Sequence, residues 1–127
     1  MVAEKTVFLV DDDAAVRRAL TAALEASNHK TRGYDSAKSF LAEYDPNEQG
    51  CLILDVHMPE MSGIELQSHL AAENNSLPII FITGHGDDDQ AAKAMNAGAL
   101  AFLQKPFDFP VILDKINDAF LLLDGNG

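Results

Sequence analysis

Cys51-Leu52-Ile53-Leu54-Asp55 is an apolar run that stops on an acid. Four successive hydrophobic residues without polar alternation mark a strand buried on both faces, and such strands belong to parallel sheets. The same form recurs on either side. Thr6–Val10 runs into Asp11 and Asp12, Ile79–Ile82 ends at Thr83, and Ala101–Gln104 ends at Lys105. Lys30–Tyr34 reads as a fifth, more polar strand. Segments of helical period separate the runs. They carry Val16, Leu20, Ala23 and Leu24, then Ala37, Phe40, Leu41 and Tyr44, then Leu66 and Leu70. Asp88 to Ala97 follows as an alanine-rich helix, and a last helix presents Ile112, Ile116, Phe120 and Leu123. Strands alternating with helices predict an α/β domain with helices on both faces of the sheet. The expected architecture is a doubly wound, five-stranded parallel sheet of order 2-1-3-4-5. The sheet's topology then reverses between the first and third strands, and ligands bind at that crevice, beyond the carboxyl ends of the strands.

Local punctuation agrees with this division. Asp13, Asp88 and Asp108 are expected to cap helices. Asn28 and Gly98 suit the left-handed conformation that ends them. Asp45-Pro46-Asn47 is a turn.

The chain has 127 residues, enough for one domain spanning 1–127, with 1–5 and 124–127 expected as flexible ends. Hydrophobic residues make up 47 %, and nine Lys and Arg stand against twenty Asp and Glu for a net charge of −11. So acidic a surface repels phosphates, which argues against direct binding to nucleic acid or anionic lipid. The one cysteine, Cys51, excludes an internal disulfide and fits a reducing compartment, so a cytoplasmic protein is expected. No apolar run is long enough for a signal peptide or a membrane span.

The polar residues that end the strands carry the chemistry. Asp11, Asp12, Asp55, Thr83 and Lys105 all fall at one edge of the expected sheet. Two carboxylates ~5 Å apart repel by about 3 kcal/mol at an effective dielectric of 20. A divalent cation relieves that repulsion. All-oxygen ligation by carboxylates, a carbonyl and waters suits Mg²⁺, with Mn²⁺ able to substitute. Lys105 is a point-charge ligand for phosphate and Thr83 a hydroxyl donor. The set points to phosphoryl transfer onto a carboxylate. Asp55 lies centrally in the strand order and is assigned as the nucleophile. Asp12 is the direct metal ligand, Asp11 acts directly or through water, and the His57 backbone carbonyl is a further ligand.

At these residues the sequence resembles the receiver domain of two-component response regulators, with its CheY-like fold. The resemblance covers nearly the whole chain. It rests on Phe8-Leu9-Val10-Asp11-Asp12-Asp13, on Leu54-Asp55-Val56-His57-Met58-Pro59-Glu60-Met61-Ser62-Gly63, on Ile82-Thr83-Gly84-His85-Gly86 and on Lys105-Pro106-Phe107. The Met58–Gly63 loop and Thr83–Asp87 are most similar to FixJ/NarL-type receivers that precede LuxR-type DNA-binding domains. The resemblance implies that Asp55 accepts a phosphoryl group from a sensor histidine kinase with Mg²⁺, and that Thr83 and Lys105 bind the acyl phosphate. The domain would catalyse its own phosphorylation and dephosphorylation without being an enzyme in the usual sense. Phe102 would take the aromatic switch position, where many relatives carry Tyr. Helix 88–97, strand 101–104 and the last helix would form the face of a phosphorylation-dependent homodimer, and a C-terminal DNA-binding domain would regulate transcription. The Lys105–Pro106 bond would be cis. His57 and His85 sit where relatives tune the lifetime of the phosphate, and imidazoles there could make it pH-dependent.

Three other readings fit parts of the chain. Asp11-Asp12-Asp13 matches the Asp-x-Asp of haloacid-dehalogenase-type phosphotransferases, with Asp11 attacking, but Asp55 is then idle and no later acidic strand remains. A binding module of the same fold that is never phosphorylated has no use for the full polar set. A flavodoxin-like carrier needs a Ser/Thr/Gly-rich loop where the three aspartates stand.

Overall fold

The computed structural model describes residues 5–75, 77–84 and 88–125. Its elements alternate throughout: β1 (Lys5–Val10), α1 (Ala14–Ala26), β2 (Lys30–Tyr34), α2 (Ala37–Glu43), β3 (Gln49–Asp55), α3 (Gly63–Ala72), β4 (Ile79–Thr83), α4 (Asp88–Asn96), β5 (Ala101–Gln104) and α5 (Phe109–Gly125). The strands form one sheet of order β2-β1-β3-β4-β5, and all four pairings are parallel. The expected fold class and strand order are therefore observed.

The sheet is coated on both faces, which is why its three central strands are nearly uninterrupted in hydrophobicity. Successive strand residues point to opposite faces. Phe8, Val10, Leu52, Leu54 and Phe81 join Phe40 and Leu66 in one apolar cluster. Val7, Leu9, Ile53, Ile80 and Ile82 join Leu20, Leu24, Ile112 and Ile116 in the other. Cys51 lies in the second cluster, and burial pushes its thiol up to about 12, so it acts as a small hydrophobe.

Several boundaries follow the punctuation. Asp13 caps α1, its carboxylate accepting from the amides of Ala15 and Val16, and Asn28 ends the following turn at φ 67°. Gly98 closes the turn after α4 at φ 103°. Asp108 directly precedes α5, where its carbonyl accepts from Val111 N at 3.0 Å. Asp88 is different: it is the first residue of α4 rather than the residue before it, so it adds negative charge to the first turn. The helix also stops at Asn96, one residue before the expected Ala97. Of the ends expected to be flexible, Lys5 belongs to β1 and residues 124 and 125 to α5. Positions 1–4, 126 and 127 lie outside the described residues.

β3 begins at Gln49, two residues before its apolar run. Gly50 pairs with Thr6 so closely that a Cβ on it would stand 1.9 Å from the Thr6 carbonyl oxygen. Hydrophobicity could not announce this contact, because it is made by backbone. Gly84 is the contrast, with nothing within 4 Å of an added Cβ. Gly50→Ala is expected to lower the free energy of unfolding by about 3 kcal/mol or more, while Gly84→Ala stays within about 0.5 kcal/mol. Urea denaturation of the two variants checks this.

Candidate functional site

The site assembles where the three central strands end. Asp11 follows β1 directly and is fully buried. All its polar groups are engaged. Its amide donates to the Tyr34 carbonyl at 3.2 Å, one carboxylate oxygen accepts from Asp13 N at 2.9 Å, and the other faces Lys105 Nζ at 3.2 Å. Asp12 is exposed beside it. Asp55 ends β3 with 6 % of its surface exposed, and its Oδ1 accepts from His57 N at 3.2 Å. Asp11, Asp12 and Asp55 each present a carboxylate oxygen, and these oxygens lie within 4.8 Å of one another. The acids expected to converge do so.

The loop after Asp55 returns tightly on the strand. Gly63 N donates to the Val56 carbonyl at 2.9 Å, and a Cβ on Gly63 would meet the Asp55 carbonyl oxygen at 2.3 Å. Ser62 and Glu65 form a capping box that starts α3 at this point. Its Ser-x-x-Glu spacing is a recognised helix start, visible in the sequence itself.

Thr83 is fully buried at the end of β4, and its carbonyl accepts from Lys105 N at 2.7 Å. That bond joins the loops that follow β4 and β5, so the expected hydroxyl and ammonium residues meet at one edge. The Lys105–Pro106 peptide is cis. Phe102 pairs with Phe81, and Thr83 pairs with Gln104. Alternation then puts Phe81, Thr83 and Phe102 on one face of the sheet. The Phe81 and Phe102 rings lie 5.9 Å apart. His57 is exposed. His85, with Gly86 and Asp87, lies outside the described residues.

Electrostatics set the character of the pocket. The Asp55 carboxyl is pushed up from 3.8 to about 6, first by burial and then by the neighbouring Asp11. Lys105 and the His57 amide oppose that rise without cancelling it. An ionised Asp55 is therefore costly here, and a hard dication among these oxygens would offset the cost. The donor set is all oxygen and anionic, which fits Mg²⁺ and offers nothing to softer metals.

One contact was not anticipated. Arg17 Nη1, from the first turn of α1, donates to the Asp11 carbonyl at 2.7 Å. Nothing in the spacing of Arg17 distinguishes it from its neighbour Arg18, so the sequence alone gave no signal.

The cavities of about 430 and 460 Å³ among the described residues sit at the other end of the strands. They are lined by Gln49, Gly50 and Asn75, and by Pro78, Leu100 and Leu122.

A parallel doubly wound sheet with acids at its topological switch point and a lysine facing them defines an α/β domain with a charged site where such folds bind ligands. The family model described as the response regulator receiver domain matches residues 7–117, and the chain belongs to that family. It is 44 % identical over 119 residues to the response regulator protein TmoT of Ectopseudomonas mendocina, covering 94 % of this chain and 54 % of the relative. It is 41 % identical over 114 residues to the transcriptional regulatory protein FixJ of Rhizobium meliloti (strain 1021), covering 90 % and 56 %. The structure of the response regulator StyR superposes with a TM-score of 0.89 at 46 % identity, covering 94 % of this chain and 61 % of that one. The chain thus spans about half the length of the curated relatives it matches. The expected kinship to FixJ-type receivers is borne out. No described helix is long and apolar enough to cross a membrane.

A buried carboxyl raised to about 6 makes stability depend on pH in a fixed direction. The folded state holds this proton more tightly than the unfolded chain, whose carboxyl titrates near 3.8. The contribution of Asp55 to stability is therefore complete below pH 4 and is lost as pH rises through about 6. In metal-free buffer Asp55→Asn is expected to be more stable than wild type at pH 7.5, by up to about 3 kcal/mol. The gap should close on acidification to pH 4. Urea denaturation across that range with a chelator present checks it, and a constant difference would contradict the crowding of the acids.

Proposed function

We propose that Asp55 is the phosphoacceptor of this receiver domain, loaded from the phosphohistidine of a sensor kinase. The observation that carries the proposal is the convergence of three carboxylates within 4.8 Å, with the Lys105 ammonium on Asp11. An Asp55 carboxylate oxygen attacks phosphorus, the phosphorus–nitrogen bond of the donor breaks, and the leaving imidazole takes up a proton. Asp12, Asp55, the His57 carbonyl and Asp11, directly or through water, would hold Mg²⁺, and Mn²⁺ can replace it. The bound dication supplies positive charge where three phosphoryl oxygens gather.

The residues of the chain do the rest. Lys105 and the Thr83 hydroxyl bind the phosphoryl oxygens. Gly84, exposed and with open space about it, leaves the approach clear for a donor. The domain on this reading promotes both its own phosphorylation and the later hydrolysis. Thr83 and Phe102 share a sheet face, so movement of Thr83 toward the phosphate vacates space into which Phe102 turns. The surface of α4, β5 and α5 then changes and pairs with a second copy. In a longer protein of the length of FixJ, that event would govern a C-terminal DNA-binding domain and so transcription, in the cytoplasm.

Incubation with Mg²⁺ and a small acyl-phosphate donor is expected to add one phosphoryl group at Asp55, located by mass spectrometry of peptides. Asp55→Asn should abolish it. A label on Asp11 that survives Asp55→Asn would overturn the assignment in favour of a haloacid-dehalogenase-like nucleophile. Lys105→Ala should leave Mg²⁺ affinity within about threefold, since an ammonium is not a metal ligand. It should still remove the phosphorylation-dependent dimer seen by sedimentation or light scattering. Phe102→Ala should keep phosphorylation and lose dimerisation, and equal losses of both would contradict the switch.

A further inference from the structure

Arg17 reaches the acid pocket from outside it. Its guanidinium donates to the Asp11 carbonyl at 2.7 Å, a short charge-assisted bond to the peptide group that links Asp11 to Asp12. The stem arrives over β2. Gly33, exposed and paired with Leu9, leaves room there, and a Cβ on it would sit 3.8 Å from Arg17 Cδ. β1 has ended at Val10, and the next amide, of Asp11, is held by Tyr34 O. The Asp11 carbonyl thus lies just past the strand, at a fully buried residue, and the arginine is what satisfies it. Asp11 is then fixed at its amide, its carboxylate and its carbonyl. Asp12 has no such burial: its placement depends on the peptide plane before it.

We propose that Arg17 is a positioning residue of the acid pocket: by clamping the Asp11–Asp12 peptide, it holds the Asp12 carboxylate where it can grip a divalent cation together with Asp11 and Asp55. This rests on the reading that the pocket takes Mg²⁺. Two effects of the arginine on the cation have opposite signs. As a nearby positive charge it repels a dication, so removing it would tighten binding. As a clamp it orders the ligands, so removing it loosens binding, and outer partners of metal ligands commonly contribute about tenfold or more. The sign of the change separates them.

Isothermal titration of the whole chain with MgCl₂ reads that sign, with metal-free unfolding by urea followed in parallel. Arg17→Met keeps the stem and loses the donor. It is expected to weaken Mg²⁺ binding about tenfold, and Arg17→Lys should recover part of the loss. Gly33→Val keeps the guanidinium but fills the lane under its stem, at a strand position that favours β-branched residues. It should weaken binding in the same direction. A folded Arg17→Met with unchanged or tighter Mg²⁺ affinity overturns the inference, even if its unfolding midpoint falls, because a merely structural arginine would behave so. Should Arg17→Met not fold, Gly33→Val decides: weaker binding supports the clamp and unchanged binding overturns it. Wild-type protein that binds no Mg²⁺ would overturn the metal reading itself and this inference with it, whereas wild type that binds and variants that bind equally sink the clamp alone.

Discussion

Mutual repulsion among Asp11, Asp12 and Asp55 is the constraint around which the upper edge of the sheet is arranged. Carboxylate oxygens within 4.8 Å of one another, two of them on buried residues, oppose folding unless something neutralises them. Lys105 supplies part of the compensation at 3.2 Å from Asp11, and backbone amides of Asp13 and His57 supply more. What they leave is visible in Asp55, still raised to about 6. The pocket is therefore short of positive charge by construction. That deficit is what a bound cation would offset, and the proposed phosphoryl transfer depends on it.

The remainder of the fold makes such crowding tolerable. Asp11 and Asp55 stand at the ends of strands whose apolar residues are buried on both faces, so the two apolar clusters fix strand ends that electrostatics alone would push apart. Fully burying a side chain such as Ile53 or Phe8 stabilises by roughly 2 kcal/mol. A handful of such residues outweighs a repulsion of a few kcal/mol. β1 and β3 are adjacent in space though separated by a whole βα unit in sequence, and the parallel crossover is what brings Asp11 and Asp55 together.

Most of this was legible in the residues, for a physical reason. A strand buried on both faces must be apolar throughout, so the first polar residue after it marks the edge of the sheet. Asp11, Asp55 and Thr83 follow that rule, while Lys105 stands one residue past it, after the polar Gln104 that ends β5. What the rule missed was held by backbone or by contacts across elements. The Gln49–Gly50 start of β3 is polar and small because it packs main chain against Thr6, and hydrophobicity is silent there. The placement of Asp88 turned on a single residue at a helix boundary, finer than propensity resolves. Arg17 reaches the Asp11 carbonyl past Gly33 of a neighbouring strand, a contact that no spacing within α1 encodes.

Coupling of this pocket to a surface needs an element that moves at low cost, and α4 has that character. Ala94 is its one buried residue, and most of its other positions are exposed. A hydrogen bond from buried Gln67 of α3 to the Ala94 carbonyl, at 3.0 Å, adds a single directional tie. Elements with few buried apolar contacts occupy the low end of the local stability scale. α4 follows directly on the loop after Thr83, whose carbonyl is bonded to Lys105 N. On the proposed reading, a pull on Thr83 and Lys105 by phosphate acts on both ends of the β4–β5 edge together. The helix between them resists least, whereas α5, anchored by Ile112, Ile116 and Ala119 in the second cluster, stays in place. On that reading, a rigid sheet with one lightly held helix beside the acid edge would turn a local charge change into a surface change without requiring the core to deform.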